Sequence, residues 1–190
     1  MVRKTVSVPL EIARPEFTLS RIAAPARLQE MEFYFPMSAV TPANLAQAFT
    51  EYCEHFEGAI PSTIDRLQFR PMSGFMKGFI DLIFQHQGRF YIVDWKSNWL
   101  GPGPESYSQK AMDEEMESKF YRLQLSIYSV ALHRLPSARL PDYSYETHFG
   151  GVFYLFLRGI EPSRPDLGVW RTRLEADFVE RLSGLFDYGA

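Results

Sequence analysis

The chain has 190 residues, 46% of them hydrophobic and 15% aromatic, with one cysteine, Cys53, and a formal net charge of −3. That length suits one domain with one core, and a lone cysteine excludes an intrachain disulfide. The acidic balance argues against a domain that grips duplex DNA unaided, so any nucleic acid must be delivered by something else.

No run reaches the roughly 20 apolar residues of a membrane helix. The start, "MVRKTVSVPLEIARPEF", lacks the apolar stretch of a secretory signal. With one cysteine, a reducing compartment and a cytoplasmic location are expected.

Residues 1–27 are interrupted by Pro9, Pro15 and Pro25 and show little periodicity. They read as a lead-in segment with a short helical turn near Leu19–Ile22. "QEMEFYFP" then alternates, Met31, Phe33 and Phe35 on one face and Glu30, Glu32 and Tyr34 on the other, which predicts a strand stopped by Pro36. "TPANLAQAFTEYCEHFEG" predicts a helix with Thr41 as N-cap, Pro42 at the first helical position and Gly58 as terminator. Leu45, Ala48, Phe49, Tyr52, Cys53 and Phe56 form its apolar stripe, so Cys53 reads as core.

"GFIDLIFQHQGRFYIVDWKSNWLG" predicts a β-hairpin turning at Gln87-Gly88. Pairing residue 86 with 89, 84 with 91 and 82 with 93 places Asp81 opposite Asp94. Lys96 shares the face of Asp94, because side chains alternate along a strand, and lies diagonal to Asp81. Phe79, Ile83, Phe90 and Ile92 make that face otherwise apolar. Two facing carboxylates leaving water are costly unless paired or bound to metal. Lys96 can neutralise one, and a divalent cation can take the rest. Because the pair repels itself, losing either carboxylate without metal is expected to leave stability unchanged or raised.

A loop, "GPGPES", leads to two predicted helices, about residues 107–117 and 119–135. The second carries Phe120, Leu123, Ile127, Val130, Ala131 and Leu135 as its core stripe. "FGGVFYLFLRG" reads as a strand buried on both faces, and "LEADFVERLSGLF" as a closing amphipathic helix. Strands interleaved with helices predict an α/β fold with a central sheet and helices on its faces.

"GFIDL" followed by "VDWKSNWLG" resembles the RecB-type branch of the PD-(D/E)xK, restriction-endonuclease-like nucleases. Asp81 takes the place of the family's first motif aspartate, and Asp94, Trp95 and Lys96 match its D-x-K element. Gln124 and Tyr128 match its Q-x-x-x-Y motif, and "HFGGVFYLFLRG" is also similar. The likeness runs from about "EMEFYFP" to the last helix, so residues 28–190 are expected to be the nuclease domain. It implies a restriction-endonuclease-like core with a mixed sheet and magnesium-dependent hydrolysis of DNA, as an exodeoxyribonuclease V type enzyme in recombinational repair of double-strand breaks.

Asp81 and Asp94 would hold one Mg2+ together with the main-chain carbonyl of Trp95, and Lys96 would orient the attacking water and stabilise charge on the phosphate. Gln124 and Tyr128, four apart on one helical face, would support the site or touch DNA, with Tyr121 one turn earlier. The implied partners are DNA strands emerging from a helicase, RecC and RecD, and the recombinase RecA. The alternatives are a silent nuclease fold that binds RecA or RecC, and a hydrolase of small phosphoesters.

Other groups carry less. His55, His86, His133 and His148 show no metal-ligand spacing. "DEEMES" reads as a solvated acidic face, and Trp99 and Tyr107, flanking the loop after the site, read equally as stackers on single-stranded bases and as buried hydrophobes. The family's upstream histidine ligand has no counterpart here. A chain starting after the histidine-bearing helix is expected to fold, bind divalent metal poorly and show little nuclease activity alone.

Overall fold

A computed structural model describes residues 2–53 and 72–187. Contacts divide the chain into two compact units, residues 1–31, 80–115 and 147–173, and residues 32–79, 116–146 and 174–190. Five described strands form one mixed sheet in the order β1-β2-β3-β4-β5: β1 Arg27–Val40, β2 Met72–His86, β3 Arg89–Lys96, β4 Phe149–Phe156 and β5 Val169–Thr172. The helices are α1 Val2–Ser7, α2 Pro42–Cys53, α3 Gln109–Ser118, α4 Tyr121–Ser137, α5 Tyr145–His148 and α6 Ala176–Phe186. The α/β class with a central mixed sheet is as the sequence predicts.

In the first unit, β2 and β3 form the hairpin in the predicted register, Leu82↔Val93, Phe84↔Tyr91 and His86↔Arg89. Its turn holds Gln87 at φ 50° and Gly88 at φ 78°. Positive φ at both central residues makes the turn type I′, whose twist matches that of the strands. β4 joins β3 in parallel, Asp94↔Tyr154 and Lys96↔Phe156, and β5 pairs antiparallel with β4.

One face of this sheet presents Leu82, Phe84, Tyr91, Val93, Phe153 and Leu155. Against it pack Val8, Leu10, Phe17, Leu19 and Ile22. The proline-interrupted segment thus supplies core side chains, and its predicted turn appears as a 3-10 turn at Leu19–Arg21. With these residues on one face, the charged residues are left to the other.

In the second unit Met31's neighbours Phe33, Phe35 and Met37 are buried in alternation, while Glu32, Tyr34 and Pro36 are exposed. Pro36 does not stop β1. That strand is at the sheet's edge, where a missing N–H is tolerated. Thr41 caps α2 as predicted: its Oγ1 accepts from the Asn44 N–H at 3.1 Å, and Asn44 Oδ1 accepts from the Thr41 N–H at 2.7 Å. This is a reciprocal capping arrangement. The expected continuation through His55, Phe56 and Gly58 lies outside the described residues, as does the Cys53 side chain. Tyr52 and Phe49 of α2 pack on Phe178 of α6.

The core face of α4 differs from the predicted stripe. Leu125, Tyr128, Ser129, Leu132 and Pro136 are buried, with Ser126, Val130 and Ala131, while Leu123, Ile127 and Leu135 are only half-buried. Phe120 precedes the helix in a left-handed conformation, φ 56°. The serines explain the rotation. Ser126 Oγ and Ser129 Oγ donate to the carbonyls of Arg122 and Leu125 at 2.8 Å, so both hydroxyls are satisfied inside the helix and can be buried.

Candidate metal centre

The site forms where β2, β3 and β4 run side by side. The β2–β3 pairing ends at Leu82↔Val93, and Asp81 and Asp94 come next on the two strands, close enough for the Asp81 charge to act on the Asp94 carboxyl. Asp94 is 3% exposed and Lys96 8%. Lys96 Nζ lies 2.7 Å from Asp94 Oδ2 and 5.0 Å from the centre of the Tyr154 ring. Tyr154 is the β4 partner of Asp94, so the parallel ladder fixes the ring beside the ammonium. Asp81 is half-buried, and its Oδ2 accepts the Trp95 backbone N–H at 2.9 Å. The three charged residues predicted to converge do so, and Asp81 is bonded to the main chain of the residue between Asp94 and Lys96.

Burial pushes the Asp94 carboxyl above the usual carboxylate range, opposed by its bond to Lys96 and reinforced by the nearby charge of Asp81. A cation at the pair would reverse that push. The donors are carboxylate oxygens, which suit a hard divalent ion. A cavity of about 260 Å³ lined by Gln29, Glu30, Asp81, Leu82 and Trp95 gives room beside Asp81. Among the described residues no three His, Cys, Asp or Glu side chains group as a metal-binding cluster. A site with only Asp81 and Asp94 as side-chain donors would suit an ion that keeps several waters.

The geometry revises one expectation. Removing Asp94 would strand the buried Lys96 cation, and removing Asp81 would orphan the Trp95 N–H. Neither change is expected to be stability-neutral. The face is also less uniformly apolar than predicted. Ile83 and Ile92 are buried, but Phe79 is 51% exposed.

Glu30 was placed by alternation on the outer face of β1. Its backbone is left-handed, φ 49°, and it lines the same cavity as Asp81. A glutamate in that conformation leaves no mark in the residue pattern.

Tyr107 is not available for stacking: it is 1% exposed. Its hydroxyl donates to the Asn98 carbonyl at 3.0 Å and accepts from the Leu100 N–H at 3.3 Å. A Cβ on Gly159 would sit 2.3 Å from Tyr107 Cγ, so only glycine allows the ring this seat. Tyr107 thereby holds the loop that leaves Lys96. Tyr107→Phe is expected to lower stability by about 1–2 kcal/mol, a drop of a few degrees in Tm. An unchanged melting curve would show that the hydroxyl does not brace the loop.

The acidic run is less solvated than expected. Asp113 accepts from Trp170 Nε1 at 2.8 Å, and Glu115 from Asn98 Nδ2 at 2.6 Å.

The Q-x-x-x-Y residues lie on α4 in the second unit. Gln124 Nε2 donates to Tyr128 Oη at 2.9 Å, and the buried Tyr128 ring meets Phe33 edge-on at 5.8 Å. Tyr121 opens the same helix and is half-buried. Of the histidines, His86 closes β2 and stacks on Phe17 at 4.7 Å, and His133 packs between Tyr143 and Tyr145. His55 lies outside the described residues. No described helix is long and apolar enough to cross a membrane.

An Asp…Asp-x-Lys constellation on adjacent strands of a mixed sheet is the signature of one nuclease class, and comparison with known proteins agrees. Residues 17–186 match the PD-(D/E)XK nuclease superfamily, and the chain belongs to it. Nucleases of this superfamily generally use a divalent metal.

Within it the chain is similar to the RecBCD enzyme subunit RecB of Escherichia coli, 40% identical over 169 residues, which cover 89% of this chain and 14% of that protein. It is 35% identical to the subunit of the same name from Buchnera aphidicola of Acyrthosiphon pisum, over 95% of this chain and 15% of the relative. For Mycolicibacterium smegmatis RecB the identity is 32%, over 94% and 19%. The chain thus spans about one-seventh of the length of the first two relatives.

Proposed function

We propose that this chain is the nuclease domain of a RecB-type subunit and hydrolyses DNA phosphodiester bonds with one magnesium ion. The observation that carries the reading is the buried Asp94–Lys96 pair with Asp81 bonded to the intervening backbone. A buried carboxylate facing another carboxylate is an expensive way to build a sheet, and a ready one to hold a hard cation.

Asp81 and Asp94 would hold the ion, with the Trp95 carbonyl as a main-chain ligand. When bound, magnesium lowers the pKa of a coordinated water and polarises the phosphate. Lys96 opposes the upward push that burial puts on the Asp94 carboxyl, and would present an ammonium to the attacking water or to a phosphate oxygen as charge develops. Tyr154 holds that ammonium from one side. Gln124, Tyr128 and Tyr121 are assigned to support of the site or of the strand.

By likeness to the relatives, the domain acts in the cytoplasm within a complex containing RecC and RecD. There it takes single strands released by a helicase during double-strand break repair, and helps load RecA.

The test is cleavage of a labelled single-stranded oligonucleotide under single-turnover conditions, with protein in excess. Slow, magnesium-dependent cleavage is expected, absent in EDTA and absent from Asp94→Asn. Cleavage that survives in either control would contradict the reading.

A further inference from the structure

The loop leaving the D-x-K strand holds an aromatic side chain in solvent on a fixed backbone. Trp99 is 65% exposed, whereas Trp170 is 4% exposed and bonded through its indole N–H to Asp113. The chain on both sides of Trp99 is pinned: the Asn98 carbonyl accepts from Tyr107 Oη, the Asn98 side-chain amide donates to Glu115, and the Leu100 N–H donates to Tyr107 Oη.

Arg158 sits over the Trp99 ring with its guanidinium carbon 5.8 Å from the ring centre. Its Nε donates to the Ser97 carbonyl at 3.0 Å, and the preceding Leu157 N–H donates to the Lys96 carbonyl at 2.9 Å. The Trp99–Arg158 pair is therefore tied to the strand end that carries Lys96. Only Ser97 and Asn98 separate Lys96 from Trp99, three steps along the chain that span at most about 11 Å.

We propose that Trp99 and Arg158 form a nucleotide platform for the single strand entering the site, the indole stacking on a base and the guanidinium meeting its phosphate. The proposal rests on the nuclease reading and names how that site holds its substrate. An indole face accepts any base, which suits a nuclease that must process many sequences. Arginine retains further N–H donors for a phosphate oxygen after its Nε is used by Ser97. Tyr107, Asn98 and Glu115 hold the loop in advance, so little ordering is left for binding to impose.

Binding is measured in EDTA and low salt by fluorescence anisotropy, with the 190-residue chain, labelled oligo(dT) and the same strand carrying abasic sites. Trp99→Ala is expected to bind oligo(dT) about tenfold more weakly, and Trp99→Phe to keep most of the affinity. Parent and Trp99→Ala should bind the abasic strand alike. Arg158→Ala should reduce the salt dependence by about one phosphate contact, a change of about 0.7 in the slope of log affinity against log salt.

Equal affinity of parent and Trp99→Ala for oligo(dT), no preference of the parent for bases over abasic sites, or no single-strand binding by the parent would overturn the platform. Failure of the nuclease reading is a separate result. It would leave Trp99-dependent binding intact while magnesium-dependent cleavage is missing.

Discussion

Replacing Lys96 with methionine is expected to slow single-strand cleavage by about a hundredfold or more, while divalent metal still binds. The methionine keeps the aliphatic volume beside Tyr154 and removes only the ammonium. That ammonium lies 2.7 Å from Asp94, on the ligand side of the site, where an attacking water and a phosphate oxygen would come together. Removing an adjacent positive charge leaves in place the two carboxylates proposed to take the metal, and metal uptake is expected to persist for that reason. Single-turnover rates, with metal binding followed separately, check the split. A rate within a few-fold of the parent's would show that Lys96 serves structure alone.

Breaking the same pair is expected to have the largest effect on stability. Both side chains are nearly buried, 10% exposed for Lys96 and 4% for Asp94. Removing one partner of a buried pair typically costs about 3–5 kcal/mol, whereas replacing both with uncharged groups is often neutral or stabilising. Lys96→Met should therefore be much less stable than the parent in EDTA, and Asp94→Asn with Lys96→Met should recover most of that loss without recovering cleavage.

The pH dependence follows from Asp94, whose carboxyl is raised by burial. An acid raised in the folded state adds stability that is full below its unfolded pKa, about 4, and lost as pH rises through the folded value. Taking away Lys96 removes an interaction that lowers this pKa, so the stability deficit of Lys96→Met should widen from about pH 4 upward. Urea midpoints across that range for the parent, both single variants and the double variant close the cycle. A deficit that does not change with pH would mean that Asp94 is not the group left uncompensated.

The hairpin was legible because period-two alternation and a Gln-Gly turn determine its register, and that register carries Asp81 and Asp94 to the same end of the hairpin. The buried β4 was legible from an apolar run too short to be a helix. Three features were hidden for physical reasons. Buried Ser126 and Ser129 satisfy their hydroxyls on their own helix, so polarity misreports which face of α4 is inside. The left-handed backbone at Glu30 has no compositional signal. Burial and base stacking could not be told apart for Tyr107, because its seat is made by Gly159, about fifty residues away in sequence and visible only in the fold. The pairing of Asp94 with Lys96, rather than bare repulsion between the aspartates, is likewise a matter of distances, and it reverses the stability expected of the carboxylate variants.

The central claim is that Asp81 and Asp94 make a divalent-metal centre on the β2–β3 hairpin. Titrating the ¹⁵N-labelled chain with trace Mn2+ and following paramagnetic broadening of amide signals tests it most directly, because it reports where the ion sits even when affinity is low. The prediction is broadening centred on Asp81 and Asp94–Lys96, reversed by excess Mg2+ and lost in Asp94→Asn. Broadening centred elsewhere, or unchanged in Asp94→Asn, would contradict it.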